Sequence, residues 1–155
     1  MYNKEMLKEI VKSEQELQFD SFTNKDAYDL GNLMLEIGKD YPKAIAVRVY
    51  LDKYIAYQYL NDGTTDYHCW WMDRKQNLVE RAHKSSLRCA IEKEFSFKSK
   101  KWWENEKKYA FCGGGFPIVV NGQYKGVAIC SGLTDIEDNE IVVKALKMLK
   151  QIKSK

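Results

Sequence analysis

Residues 116–130, FPIVVNGQYKGVAIC, contain the clearest structural signal in this chain. Two runs rich in β-branched residues, Phe116–Val120 and Lys125–Cys130, flank Asn121-Gly122, a dipeptide typical of tight turns between antiparallel strands. The stretch therefore predicts a β-hairpin. A second hairpin is predicted from Ala44–Tyr50 and Tyr54–Leu60, which are rich in β-branched and aromatic residues and are joined by a short connection.

Helical patterns lie before, between and after the two hairpins. The connections inside the hairpins are too short for parallel crossovers, so the sequence predicts an α+β fold with a single antiparallel sheet flanked by helices. The remaining segments are predicted as a leading helix over 2–15, a strand or extended entry over 17–22, and helices beginning after Thr23 or Asn24, at Thr65 or Asp66, at Ser85-Ser86 and at the capping-box sequence Thr134-Asp135-Ile136-Glu137.

Length and composition predict one domain that does not enter a membrane. The chain has 155 residues, of which 45% are hydrophobic and 30% charged, so it has enough apolar material for one core. No apolar run approaches the roughly 18 residues that span a bilayer. Residues 1–16 mix charged and apolar side chains and lack the apolar core of a secretory signal. A cytoplasmic location is expected.

The charge distribution does not favour nucleic-acid binding. Lys and Arg number 25 against 22 Asp and Glu, for a formal charge of +3, and the lysines of the last helix are spread along it. The pairs Trp70-Trp71 and Trp102-Trp103 could stack on bases, but large aromatic residues in a small domain more often fill its core or a subunit interface.

The four cysteines predict reduced thiols. Cys69, Cys89, Cys112 and Cys130 form no CxxC pair, so neither a zinc ribbon nor a thioredoxin-type site is indicated. His68 and Cys69 would point about 100° apart on a helix and would not chelate one ion together. No metal site is predicted. Cys112 lies beside three glycines and could be accessible, but no His or Asn stands at a spacing that would make it a nucleophile.

One polar cluster could bind an anion. Arg74, Arg81 and Ser85 are seven and four residues apart, so on a continuous helix they would share a face. The alternative is a solvated helix face. His83 falls between two predicted helices, where it is either a ligand contact or an ordinary hydrogen-bonded residue.

Two glycine-containing segments could bring the backbone close to a ligand. Gly113-Gly114-Gly115 precedes a predicted strand, whereas a phosphate loop leads from a strand into a helix. These glycines therefore allow close approach of either a ligand or the packed helices. Ser131-Gly132 precedes the last helix, where its amides face a small anion or satisfy the helix terminus.

Taken in order, several short motifs resemble the haem-degrading-domain family, which includes HbpS-like, GlcG-like and PduO C-terminal-like proteins. The resemblance covers roughly residues 14–150. The residues that carry it are Phe19–Ala27, Leu30-Gly31, Trp71, Arg74-Lys75, Val79, His83, Ser85-Ser86, Tyr109-Ala110, Gly113-Gly114, Phe116-Pro117-Ile118 and Ser131-Gly132-Leu133.

The resemblance implies a profilin-like α+β fold with about five antiparallel strands, and homo-oligomers. Some relatives bind haem or related tetrapyrroles, some degrade haem, and others have no established ligand. Where relatives usually have an Asp-His pair at the start of the last helix, this chain has Asp138-Asn139. An asparagine is not an axial haem ligand, so His83 is the alternative contact.

We therefore expect a cytoplasmic, homo-oligomeric protein that binds a small anionic ligand, with a tetrapyrrole as the ligand class and haem as the suggested cofactor. The sequence leaves catalysis open and names no catalytic residue. The alternative is an oligomeric interaction module without a ligand, in which the four tryptophans are core or interface anchors. The expected ligand-binding residues are Arg74, Lys75, His83, Ser85, Ser86, Gly113, Gly114, Ser131 and Gly132.

Overall fold

Both predicted hairpins are present and join in one sheet. The computed structural model describes all residues 1–155. It contains five strands in the spatial order β1-β4-β5-β2-β3. Their bounds are β1 Gln18–Phe19, β2 Ala46–Leu51, β3 Tyr54–Leu60, β4 Gly115–Val120 and β5 Gln123–Ser131.

Five helices surround the sheet, and their starts follow the predicted capping signals. Thr23, Thr65, Ser85 and Thr134 are the N-cap residues of the second to fifth helices, and each accepts a hydrogen bond from a backbone N–H of the first turn. The helices are α1 Lys4–Glu16, α2 Asn24–Gly38, α3 Asp66–Ala82, α4 Ser86–Glu94 and α5 Asp135–Lys153, and a short 3-10 turn covers Lys101–Glu104.

The prediction of an α+β fold with a five-stranded sheet is confirmed, with one correction to strand direction. β2, β3, β4 and β5 pair antiparallel, but β1 runs parallel to β4, with Gln18 opposite Val119. Short links force antiparallel pairing only between strands that are neighbours in sequence. β1 and β4 are far apart in the chain, so the hairpin argument did not apply to them.

The sheet is covered on both faces. Val47 and Val49 of β2 face the larger core, where Leu30 of α2 and Leu146 of α5 also lie. On the opposite face, Ala46 packs with Met72 and other residues of α3. Successive side chains of β2 point to opposite faces of the sheet, and both faces are covered by helices. Nearly every residue of β2 is therefore buried. None of the five helices combines the length and apolar character that crossing a bilayer requires.

One glycine lets the two central strands pair closely. Gly126 of β5 lies opposite Leu51 of β2. A Cβ atom at this position would lie 1.9 Å from the carbonyl oxygen of Tyr50, which belongs to the backbone and cannot turn aside. Any side chain here would force the two strands apart.

Candidate functional site

A cavity of about 330 Å³ lies where the first half of α3 passes the end of β5 and the start of α5. Its lining combines aromatic, charged and backbone groups from three parts of the chain. From α3 come Tyr67, His68, Trp71 and Lys75; from the segment before β4 comes Cys112; and from the end of β5 and the start of α5 come Ser131, Gly132, Leu133, Asp135 and Asp138.

The α3 wall is built by helical spacing and an N-terminal cap. Tyr67, Trp71 and Lys75 are four residues apart and therefore lie on one face of the helix. The rings of Tyr67 and Trp71 meet edge to face, with centroids 6.2 Å apart and planes at 86°. His68 completes the cap of α3, since the backbone N–H of Thr65 donates to its Nδ1 at 3.1 Å.

The floor of the cavity is a buried ion pair between α3 and α5. Lys75 Nζ donates to Asp138 Oδ2 at 3.0 Å and to the carbonyl oxygen of Cys130 at 2.9 Å. Each charged side chain is 3% exposed. Asp138 Oδ1 accepts the backbone N–H of Leu133 at 3.1 Å, so the carboxylate is fixed on both oxygens. The pair makes the floor polar but electrically neutral.

Burial is the largest influence on the pKa values of the ionisable residues at this floor. Burial alone would lower the pKa of Lys75, but the neighbouring Asp138 carboxylate outweighs it and the pKa is raised. Burial also raises the pKa of Asp138, and Lys75 opposes this shift. Burial raises the pKa of the Cys112 and Cys130 thiols as well, so both are protonated at neutral pH.

Three of the nine residues expected at a ligand, Lys75, Ser131 and Gly132, line this cavity. Gly113 and Gly114 lie directly behind it. A Cβ atom on Gly114 would lie 2.6 Å from Lys75 Nζ, and one on Gly113 would lie 2.1 Å from the backbone oxygen of Asp135. The two glycines therefore allow α3 and α5 to approach the start of β4.

Arg74 does not line the cavity, although it follows Trp71 on α3 and precedes Lys75. Its guanidinium donates to the backbone oxygens of Glu106 at 2.7 Å and Tyr109 at 3.3 Å. It also lies over the rings of Trp70 and Trp71, 4.1 and 4.6 Å from their centroids. One of its nitrogens, Nη1, is buried without a hydrogen-bond partner. Arg74 thus anchors the segment after the 3-10 turn to α3.

Ser85 and Ser86 also make structural contacts elsewhere. Ser85 caps α4 by accepting the Arg88 N–H, and its hydroxyl donates to Glu14 of α1 at 2.9 Å. Ser86 Oγ is buried and accepts the backbone N–H of Gly115 at 2.8 Å. These two bonds tie the start of α4 to α1 and β4.

His83 is separated from the other expected ligand residues. It ends α3 in the left-handed conformation with φ +55°. Its ring stacks on that of Tyr124, with centroids 4.2 Å apart and planes 2° from parallel. The structure therefore does not bring His83 together with Lys75, Ser131 and Gly132.

The sequence analysis did not expect the other seven lining residues at a ligand, namely Tyr67, His68, Trp71, Cys112, Leu133, Asp135 and Asp138. A signal for Tyr67 was present, because Tyr67, Trp71 and Lys75 repeat at four-residue intervals in a predicted helix. No local signal identified Leu133 or Asp135. Their contribution depends on where α5 begins relative to α3, which is a tertiary property.

Comparison with known proteins assigns the chain to a family. The family model described as "Haem degrading protein HbpS-like" matches residues 22–147. The chain belongs to this HbpS-like family. A UPF0303 protein of Brucella anthropi is 33% identical over 148 residues, which cover 93% of this chain and 87% of the relative. A UPF0303 protein of Brucella canis gives the same identity and coverage.

Solved structures share the fold of this HbpS-like chain. The crystal structure of the Ybr137w protein matches with a TM-score of 0.84 and 24% identity, over 94% of this chain and 88% of that one. A double mutant of Streptomyces reticuli HbpS matches with a TM-score of 0.69 and 15% identity, over 85% and 89%. The PduOC:heme complex matches with a TM-score of 0.70 and 13% identity, over 82% and 94%.

The histidine and the cysteine of the cavity do not fit an iron ligand for haem. His68 Nδ1 accepts a hydrogen bond, so the neutral ring carries its proton on Nε2 and has no free lone pair there. Burial raises the pKa of the Cys112 thiol, which opposes formation of the thiolate that binds metal. Asn139 does not line this cavity, and its amide is no substitute for an imidazole. The aromatic corner of Tyr67 and Trp71 suits the ring of a tetrapyrrole better than its metal.

Proposed function

We propose that this HbpS-like protein is a homo-oligomeric small-ligand-binding protein whose ligand is a tetrapyrrole held without a bond from a side chain to iron. The observation that carries the proposal is the aromatic corner of Tyr67 and Trp71 above the buried Lys75–Asp138 pair. The family assignment and the heme complex of PduOC support the choice of ligand class.

The charges of the cavity favour one orientation of the ligand. Asp138 neutralises Lys75, and Asp135 adds a carboxylate whose Oδ2 accepts the Tyr2 hydroxyl. Ligand carboxylates pointing inward would meet this acidic lining, so they are expected to face solvent. The ring edge enters the cavity and packs against Trp71. Tyr67, which is 58% exposed, covers the part of the ring outside it.

The volume limits how much of the ligand one protomer encloses. About 330 Å³ is at the lower end of the roughly 300–1,000 Å³ typical of ligand pockets. One protomer would therefore cover only part of a macrocycle, and a second copy is expected to cover the remainder. Light scattering of the pure protein with and without ligand measures the predicted oligomeric state. The cytoplasmic location stays a prediction, and no residue is assigned a catalytic role.

A titration with two porphyrins tests the proposal. Haemin and metal-free protoporphyrin should both give a saturable shift of the Soret band, because the proposed contacts are made to the ring. Trp71→Leu should weaken both by about tenfold or more, whereas Trp103→Leu, a tryptophan outside this cavity, should bind as the parent does. Equal binding by Trp71→Leu and the parent would contradict the proposed site.

Two further variants test whether a side chain binds the iron and whether the ligand binds outside the cavity. If haemin binds much more tightly than protoporphyrin and His68→Gln removes that difference, iron ligation occurs and this part of the proposal is wrong. The double variant Arg74→Gln/His83→Gln tests two of the residues that were expected from the sequence but do not line the cavity. Loss of porphyrin binding in that variant alone would move the site away from the cavity.

An interaction module without a ligand is the second candidate function. The observation that favours it is the outer strand β3, where Tyr54, Ile55 and Tyr59 are between 45% and 50% exposed. Tyr28, on the neighbouring α2, is 53% exposed. Exposed aromatic residues of this kind are common at protein interfaces. An oligomer that binds neither porphyrin would support this function.

A further inference from the structure

A second cavity of about 330 Å³ lies on the other side of the Arg74 anchor, between the end of α3, α4 and the 3-10 turn. It shares no lining residue with the first cavity. Its walls are aromatic and its charged groups are mainly cations. We call it the tryptophan cavity, after Trp102 and Trp103.

Three rings form the apolar wall of the tryptophan cavity. Trp102 and Trp103 meet edge to face with centroids 6.3 Å apart. Phe111 lies 6.0 Å from Trp102 and 6.1 Å from Trp103. All three side chains are only half-buried, although they are large and apolar. A ring of matching size could therefore pack against them and remove their remaining surface from water.

The cations beside this wall outnumber the carboxylates. Arg81, Lys84 and Lys100 line the cavity together with a single acid, Glu92. Glu92 is already engaged, because it pairs with Lys84 at 3.1 Å and with Arg88 at 3.4 Å. Arg81 and Lys100 make no ion pair within 4.0 Å. Two positive charges at the cavity are therefore uncompensated.

The Arg81 guanidinium is held in place and still accessible. It lies 4.3 Å from the centroid of the Trp102 ring and donates from Nη1 to the Tyr109 hydroxyl at 3.1 Å. The side chain is nevertheless exposed, so its remaining N–H groups can bind another acceptor. A guanidinium fixed on an aromatic face is well suited to a carboxylate or a phosphate, since both accept two parallel hydrogen bonds.

We propose that the tryptophan cavity binds a small aromatic acid, that is, a planar ring carrying one carboxylate or phosphate group. The ring packs against Trp102, Trp103 and Phe111, and the anionic group meets Arg81 and Lys100. The volume is enough to enclose one or two rings, and none of the residues that line it lines the first cavity. The site is thus distinct from the proposed tetrapyrrole site and does not depend on it.

Calorimetric titration with four probes tests the need for both parts of the ligand. Benzoate and phenyl phosphate carry a ring and an anionic group, inorganic phosphate lacks the ring, and benzyl alcohol lacks the charge. At least one of the first two should bind about tenfold more tightly than either of the last two, and which one binds identifies the anionic group. Equal binding of inorganic phosphate or of benzyl alcohol would overturn the proposal, as would absence of binding by both aromatic acids.

Charge-removing variants locate the site. Arg81→Gln and Lys100→Gln should each weaken binding of the aromatic acid, Arg81→Gln by about tenfold or more. Lys107→Gln is the matched control, because Lys107 is an exposed lysine of the same segment outside the cavity. Lys100 makes no side-chain hydrogen bond, so its replacement should leave the fold intact. Parent-like binding by both cavity variants would place the ligand elsewhere and overturn the assignment.

Discussion

The ammonium of Lys75 and the carboxylate of Asp138 lie 3.0 Å apart with both side chains almost completely buried. The two residues belong to α3 and α5, which cover opposite faces of the sheet. The pair therefore joins the two helical layers beyond the end of β5. Desolvating two charges is costly, so the pair is more costly to break than to replace as a whole.

Removing one member of this pair should destabilise the protein strongly. Lys75→Met leaves the Asp138 carboxylate buried without its cationic partner, and the free energy of unfolding should fall by about 3–5 kcal/mol. The double variant Lys75→Met/Asp138→Asn should recover a large part of that loss, because no charge remains buried. Urea denaturation measures both. The exposed pair Lys25–Asp29 is the control, where Lys25→Met should leave the free energy of unfolding almost unchanged.

Adding a methyl group between the central strands should be costly. Gly126→Ala places a Cβ atom 1.9 Å from the Tyr50 carbonyl oxygen, so β2 and β5 must separate. We expect a loss of about 3 kcal/mol in unfolding free energy. Gly122→Ala is the comparison, because no atom lies within 4 Å of its added Cβ and only its φ of +78° is unfavourable. It should cost about 1 kcal/mol. Equal losses in thermal or urea unfolding would refute the steric argument.

Asp26 should contribute to acid sensitivity. Burial works against its charged form, but hydrogen bonds from Lys153 and from the backbone N–H of Thr23 lower its pKa below the ordinary 3.8. The carboxylate therefore stabilises the fold above about pH 4, and this contribution is lost as the pH falls through the lowered pKa. Asp26→Asn should cost about 1 kcal/mol at neutral pH and progressively less as the pH falls below about 4.

The pH dependence of unfolding checks this expectation. The two stability curves should converge in acid if Asp26 is the group concerned. Asp29 of the same helix forms only an exposed pair with Lys25, so Asp29→Asn should change the curve much less. Curves for Asp26→Asn and the parent that remain parallel down to pH 2 would exclude this role.

Thiol reactivity should report on the first cavity. Cys69 and Cys112 are half-buried, whereas Cys89 and Cys130 are buried, and burial raises the pKa of Cys89 to about 12. In the native protein a thiol reagent should modify Cys69 first and Cys112 more slowly, because burial raises the pKa of Cys112. Bound porphyrin should slow Cys112 and leave Cys69 unchanged. The variant Cys112→Ser assigns the slow phase, and equal protection of both thiols would argue against binding in the cavity.

The sequence predicted the parts of the fold that local chemistry determines. Asn121-Gly122 predicted the turn between β4 and β5, and the capping box at Thr134 predicted the start of α5. The parallel pairing of Gln18 with Val119 has no local sequence signal, because the two strands lie far apart in the chain. The 3-10 turn at Lys101–Glu104 was likewise not predicted, since so short a turn has no periodicity to detect.

The candidate site was only partly predictable for a related reason. Arg74 and Lys75 are neighbours in sequence, but adjacent helical positions point about 100° apart. Lys75 reaches Asp138, whereas Arg74 reaches the backbone of Glu106 and Tyr109. Helical spacing predicts which residues share a face and not what that face will contact. That choice depends on where α5 and the segment before β4 come to lie.

The strand order also constrains when the chain can fold during synthesis. β2 and β3 form a local hairpin, but the other neighbour of β2 is β5, which ends at Ser131. The two strands that pair with β2, β3 and β5, are therefore synthesised far apart in time. Residues up to Ser131 must be synthesised before the sheet can close, and until then the apolar β2–β3 hairpin lacks the strand that pairs with β2. Chaperone binding to β2 and β3 would be most useful during that interval.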